Sequence, residues 1–131
     1  MIWSSNSFLE KCYQLKLKGY NPDFTPGMII GRGFADFGFE SFTVLPSDFI
    51  ISLLTGDKSR LSSEERDNFF AVPDCDMLTE ELLVRGASGL RMELTTEGWF
   101  SVSVEITGKG VLHARNNTLW EALFSLLMQV L

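Results

Sequence analysis

Histidine occurs once and cysteine twice in this 131-residue chain, and acidic residues outnumber basic ones 17 to 11. Each shortage closes off a class of function. Cys12 and Cys75 stand 63 positions apart, with no Cys-x-x-Cys pair and no histidine near either, so neither a zinc site nor a thioredoxin-like motif can be drawn. Both are read as free thiols serving as small apolar residues. No His, Cys, Asp or Glu cluster has the spacing of a metal site, and no metal or cofactor is expected. The formal charge of −6 divides into 7 basic against 9 acidic residues up to Pro73 and 4 against 8 beyond it. Nucleic-acid affinity rests largely on Lys and Arg neutralising phosphates, so direct nucleic-acid binding is not expected. Proteins or small molecules fit this balance better, and an acidic surface also suits a protein partner with a basic surface, such as a nucleic-acid-handling complex. No apolar run approaches the ~20 residues that span a bilayer, so no membrane role is expected. The start, MIWSSNSFLEKC, lacks the basic opening and apolar stretch of a secretory signal, which predicts a cytoplasmic protein.

Apolar residues, by contrast, are plentiful at 45%, and a chain of this length with that content predicts one α+β domain around one core. Ser4-Ser5-Asn6-Ser7 supplies N-caps for a helix over Phe8 to Lys18, with Phe8, Cys12 and Leu15 inward and a stop at Gly19. A proline-bearing loop follows, then extended structure from Met28 to Leu45. Ser47 is read as the cap of a short helix from Asp48 to Thr55. Ser62 and Glu65 have capping-box spacing for another, closed by Pro73 near Phe69 to Val72. A helix from Asp76 with Leu78, Leu82 and Leu83 or Val84 inward ends at Gly86. Leu90–Thr95, Trp99–Ile106 and Val111–Arg115 alternate with period two and are separated by glycine turns. They predict an antiparallel meander, packed by a C-terminal helix from Thr118 to Leu131 with Thr118 and Glu121 as its capping box.

The stretch RGFADFGF, residues 32 to 39, resembles the aromatic signature of RNA-recognition motifs. The positions that would face a nucleotide are Arg32, Phe34 and Asp36. A carboxylate cannot stack on a base and repels phosphate, and no strand-helix-strand unit precedes the stretch. It is read as a core strand with Gly33, Ala35, Phe37 and Phe39 on its apolar face.

Alternation sorts the meander into two faces. Leu90, Met92, Leu94, Phe100, Val102, Val104, Ile106, Leu112 and Ala114 are predicted to face the core. Arg91, Glu93, Trp99, Ser101, Ser103, Glu105, His113 and Arg115 form a mixed outer face, and Arg91, Glu93, Trp99, Glu105, His113 and Arg115 are the candidate partner-binding residues. His113 is the one candidate general base, with Glu105 or Glu93 as possible carboxylate partner, but no nucleophile or pocket is apparent beside it, and no catalytic residue is assigned. Glu64-Glu65-Asp67 and Glu80-Glu81 are read as solvated helix faces. The segment TLWEALFSLLMQVL is apolar on nearly all sides. Leu119, Ala122, Leu123, Leu126 and Val130 make a core stripe, and Trp120, Phe124, Met128 and Leu131 a second row. That row either is buried inside the monomer or serves as an interface, for example in a homodimer.

The order VPDCDMLTEELL, a strand, GWFSVSVEI, a glycine turn, then TLWEALFSLLMQVL resembles a layout in small accessory proteins of bacteriophages and prophages. It spans residues 72 to 131 and rests on Pro73, Gly98, Trp99, Leu119, Glu121, Ala122 and Leu123. The resemblance carries no catalytic residue across. It implies a phage setting and the bacterial host cytoplasm, where small acidic proteins bind and block host machinery. The expectation is therefore a non-enzymatic inhibitor or modulator of a larger host partner, of an anti-defence (anti-CRISPR-like) kind. The alternatives are a toxin-neutralising immunity protein, a virion-assembly component, or a small enzyme using His113 with a carboxylate.

Overall fold

The computed structural model describes residues 5–34 and 38–131. Ala35, Asp36 and Phe37 of the RGFADFGF stretch lie outside the described residues. The chain is α+β and divides into two compact units, residues 1–73 and 74–131, each with its own antiparallel sheet.

In the first unit Ser5 caps helix α1, Asn6–Leu17, by accepting from the Phe8 amide, and the helix ends before a Gly19 in the left-handed region that suits only glycine. Its buried residues are Phe8, Leu9, Cys12 and Leu15, the predicted stripe with one addition. The extended segment is a hairpin of β1, Ile29–Phe34, and β2, Gly38–Leu45. The sheet is completed by β3, Phe49–Ser52, β4, Lys58–Arg60, and β5, Phe69–Val72, in the order β4-β3-β2-β1-β5.

Two predicted helices are replaced by strands. Pro46-Ser47-Asp48 forms a tight turn in which Ser47 and Asp48 both take positive φ, 65° and 63°. The chain thereby reverses, and Phe-Ile-Ile-Ser pairs with β2 instead of coiling. Ser62 does cap the Glu65 amide, yet only a single 3-10 turn, Arg66–Asn68, follows before β5. Phe69 to Val72 are all buried and pair with β1, where branched and aromatic side chains suit a strand covered on both faces.

Ile30 and its ladder partner Phe42 lie on one face with Phe69, Val44, Ile50 and Leu61, and Phe24 and Met28 close over them. α1 lies on the other face, where Tyr13 meets the rings of Phe39 at 5.8 Å and Phe70 at 5.7 Å. Asn6 accepts from the Phe39 amide at 3.0 Å and fixes the hairpin to the start of the helix. Phe70 lies across its ladder partner Gly31 so closely that a Cβ there would stand 2.5 Å from the ring. Gly31→Ala is accordingly expected to cost about 1–3 kcal/mol through overpacking, read as a lower urea midpoint. Phe70→Leu in the same chain should recover part of the loss, a coupling that a double-mutant cycle measures.

In the second unit Asp74 caps α2, Cys75–Val84, through the Met77 amide at 2.8 Å. Leu78 and Leu82 are buried as predicted. Leu83 and Val84 are exposed, because the inward stripe runs 78–82 and the next two positions rotate away from it. The meander is β6, Ala87–Leu94, β7, Phe100–Ile106, and β8, Gly110–Asn116, in that order. Helix α3, Leu119–Val130, is capped by Thr118 through the Glu121 amide at 3.1 Å and packs across β7, β8 and α2. Val102, Val104, Ile106 and Ala114 are buried on the predicted core face. Met92 and Leu94 are not, at 47% and 62% exposed. They share that face, but α3 lies over β7 and β8, and the distal end of the outer strand β6 extends past the cover.

Candidate functional site

The turn chemistry of the meander decides what stands beside what. Thr107-Gly108-Lys109 joins β7 to β8 so that Ile106 pairs with Gly110, which sets Ser103 opposite His113 and Ser101 opposite Arg115. At the other end Thr95 and Trp99 close the β6–β7 hairpin: the Thr95 amide donates to the Trp99 carbonyl at 2.7 Å, and Gly98 takes the positive φ the turn requires. Glu93 then pairs with Ser101 and Arg91 with Ser103.

The outer face is thus a set of cross-strand rows, Glu93-Ser101-Arg115, Arg91-Ser103-His113 and Ser88-Glu105-Val111. Arg91, Glu93, Glu105, His113 and Arg115 lie together on it, and Trp99 adjoins it at the hairpin end. All six are exposed. Trp99 is 40% exposed, and the Arg115 guanidinium sits 5.4 Å from the centre of its ring. Glu97 holds the same guanidinium from the turn, 3.9 Å away. An arginine stacked on an indole and tethered by a carboxylate loses less rotamer freedom on contact with a partner than a free one.

His113 is placed as predicted but partnered differently. Its Nε2 lies 2.7 Å from the Ser101 hydroxyl, and the ring makes no hydrogen bond to Glu93 or Glu105. Ser101 is therefore the residue that the sequence reading left without a role. The signal was present, since the three-residue turn at 107–109 fixes the register that brings the two strands' residues into reach. The His113 carbonyl is also engaged, accepting from the Gln129 side chain of α3 at 3.0 Å.

The second candidate surface is largely internal. Trp120 is only 2% exposed and stacks on Phe124 with ring centres 5.3 Å apart and planes 8° from parallel. It is not available as an interface anchor on the surface of a single chain. Phe124, Met128 and Leu131 are half-buried, and Leu127, which neither predicted row included, is fully buried.

Among the described residues no group of three His, Cys, Asp or Glu side chains is placed to hold a metal ion, and no helix is long and apolar enough to cross a membrane. Glu64, Glu65, Asp67 and Glu80 are exposed, and Glu81 pairs with Arg85 one turn on at 3.2 Å. Neither cysteine forms a disulfide. Burial, and then the Asp74 and Asp76 carboxylates beside it, push the Cys75 thiol above its ordinary value, which makes it a poor nucleophile.

No protein-family model matches the chain, and no significant match is found among curated proteins or solved structures.

Proposed function

We propose that this chain is a non-enzymatic binding protein that docks on a larger protein through the outer face of the β6–β8 meander and inhibits or modulates it. One observation carries the reading: Trp99, exposed at the hairpin end, is held beneath Arg115. Tryptophan and arginine are the residues that most often dominate interface energies, and here they are already assembled. The −6 charge favours a partner with a basic surface and steers its approach. The likeness of residues 72–131 to phage accessory proteins makes a host complex, as in anti-defence inhibition, the leading target class, with a bacterial toxin as the alternative.

The test is capture from bacterial lysate on the immobilised chain, followed by affinity measurement on the protein retained. Trp99→Ala should weaken binding by about 2 kcal/mol, roughly thirtyfold, whereas Leu54→Ala, an exposed residue of the other unit, should not. Association should slow as salt rises. Equal affinity of the Trp99→Ala and wild-type chains removes the reading.

The Ser101–His113 hydrogen bond favours a second reading, a small hydrolytic enzyme with the hydroxyl as nucleophile and the imidazole as base. His113→Ala separates the two when affinity and activity are measured together, because an enzyme loses activity while still binding, whereas in a binding protein activity falls only as far as affinity does.

A further inference from the structure

The first unit has a groove that the meander face does not explain. β1 pairs with β2 along its whole length but with β5 only from Ile29 to Arg32. The backbone of Gly33 and Phe34 is left without a strand on that side, and a groove of about 640 Å³ opens between it, α1 and the turn at Asp67-Asn68.

Two cations line this groove. Lys16, on α1, donates to the carbonyls of Asp67 and of Phe69, the latter at 3.1 Å. Two of its three N–H donors are used, but by neutral acceptors, so its charge is not neutralised. Arg32 lies in the ladder opposite Phe69, and its guanidinium is wedged among rings, 4.5 Å from the centre of Phe34, 5.2 Å from Phe69 and 5.6 Å from Phe42. Its Nε is sealed from solvent with no acceptor, and no described carboxylate pairs with it. Three aromatic faces thus hold the fork in place while its donors lack the acceptor for which a guanidinium is shaped. Asp67 supplies the one carboxylate among the lining residues, on an exposed side chain whose carbonyl, not its carboxylate, meets Lys16. Tyr13, Phe34 and Phe39 complete the walls with flat apolar surface.

We propose that this groove binds a small organic anion, a carboxylate or phosphate group carried on a flat apolar body. The anionic end meets Arg32 and Lys16, and the body lies against the Tyr13, Phe34 and Phe39 rings. Arg32 reaches the lining from the face of Phe42 and Phe69 and Lys16 from the face of α1, on either side of the open edge of Gly33 and Phe34, and apolar walls with a few charged groups are the usual form of a small-molecule site. The inference is independent of the docking face, which lies in the other unit.

The experiment is a titration of the full chain followed by backbone amide shifts, with phenyl phosphate, benzoate, inorganic phosphate and benzyl alcohol as probes. At least one of the two aromatic anions should give saturable shifts at Gly33, Gly38 and Asn68 below about 10 mM. The tighter of the two identifies the anionic group. Inorganic phosphate should bind about tenfold more weakly, and benzyl alcohol should give no saturable shift. Lys16→Met and Arg32→Gln should each weaken the anion about tenfold or more. Should either variant fail to fold, Gly33→Val decides, since a Cβ there meets only the Phe39 ring at an ordinary 3.4 Å and leaves both charges in place. It should block the groove and abolish the shifts. No saturable shift with either aromatic anion, equal binding of benzyl alcohol, or full binding by Gly33→Val would each overturn the proposal.

Discussion

Val104→Asp is expected to destabilise the second unit by roughly 3–5 kcal/mol, a large share of the ~5–15 kcal/mol that holds an ordinary domain folded. Val104 is 1% exposed on the central strand of the meander, on the side covered by α3. A carboxylate there has no cation to pair with and no water to solvate it, so the chain must either carry a buried charge or open. Ser103→Asp, one residue away, reverses the expectation. Ser103 lies on the outer face in the row between Arg91 and His113, where a negative charge finds solvent and a neighbouring cation. Its effect should stay within about 0.5 kcal/mol. Urea unfolding of the two variants side by side is the measurement, and equal losses would mean that the strand faces are assigned the wrong way round.

Trp120→Glu should be as damaging. The substitution removes a large ring that is 2% exposed and stacked on Phe124, and it leaves a charge in the space. Loss of a buried aromatic costs about 3–5 kcal/mol before the charge is counted. The variant is expected to lose its cooperative transition. Folded monomers from a wild-type dimer would show instead that Trp120 works between copies. Met128, half-buried on the same row, gives the complementary measurement. Met128→Lys should keep the fold, and a fall in sedimenting mass would identify that strip as a contact between two chains.

How far the sequence could be read depended on the range of the interactions. α1 and α3 were legible because Ser5 and Thr118 act on amides three residues away and the buried stripes recur at helical spacing. The meander was legible because glycine turns and alternation are also local, and the same register carried the outer face. β3 was misread because Ser47-Asp48 looks like a helix cap; the two left-handed residues become a turn once β2 offers β3 a pairing edge. β5 was misread for a related reason, since a short, wholly apolar run such as Phe-Phe-Ala-Val has no periodicity to separate strand from helix. The RGFADFGF stretch was read as one core strand and is instead the end of β1 and the start of β2, which run antiparallel with Gly33 opposite Phe39 and Phe34 opposite Gly38, a pairing that period-two alternation alone does not reveal. Phe34 and Phe39 are only half-buried, however, because they form the wall of a groove instead of the deep core. The groove itself joins residues 13–16, 32–34 and 67–68, which nothing in the local pattern brings together.

The bond from Gln129 to the His113 carbonyl bears on how this protein avoids joining others in an unwanted way. β8 is an outer strand, and an outer strand with free carbonyls is a template on which a further strand can add, from another copy or from a misfolded chain. Here the helix that covers one face of the sheet also reaches round to occupy part of its rim. Lys109, from the turn before β8, holds the Val130 carbonyl at 3.0 Å and fastens the end of that helix where it must stay. Fraying of the last turn of α3 would therefore do more than loosen a helix: it would free an acceptor on the rim of the sheet, where a further strand could add.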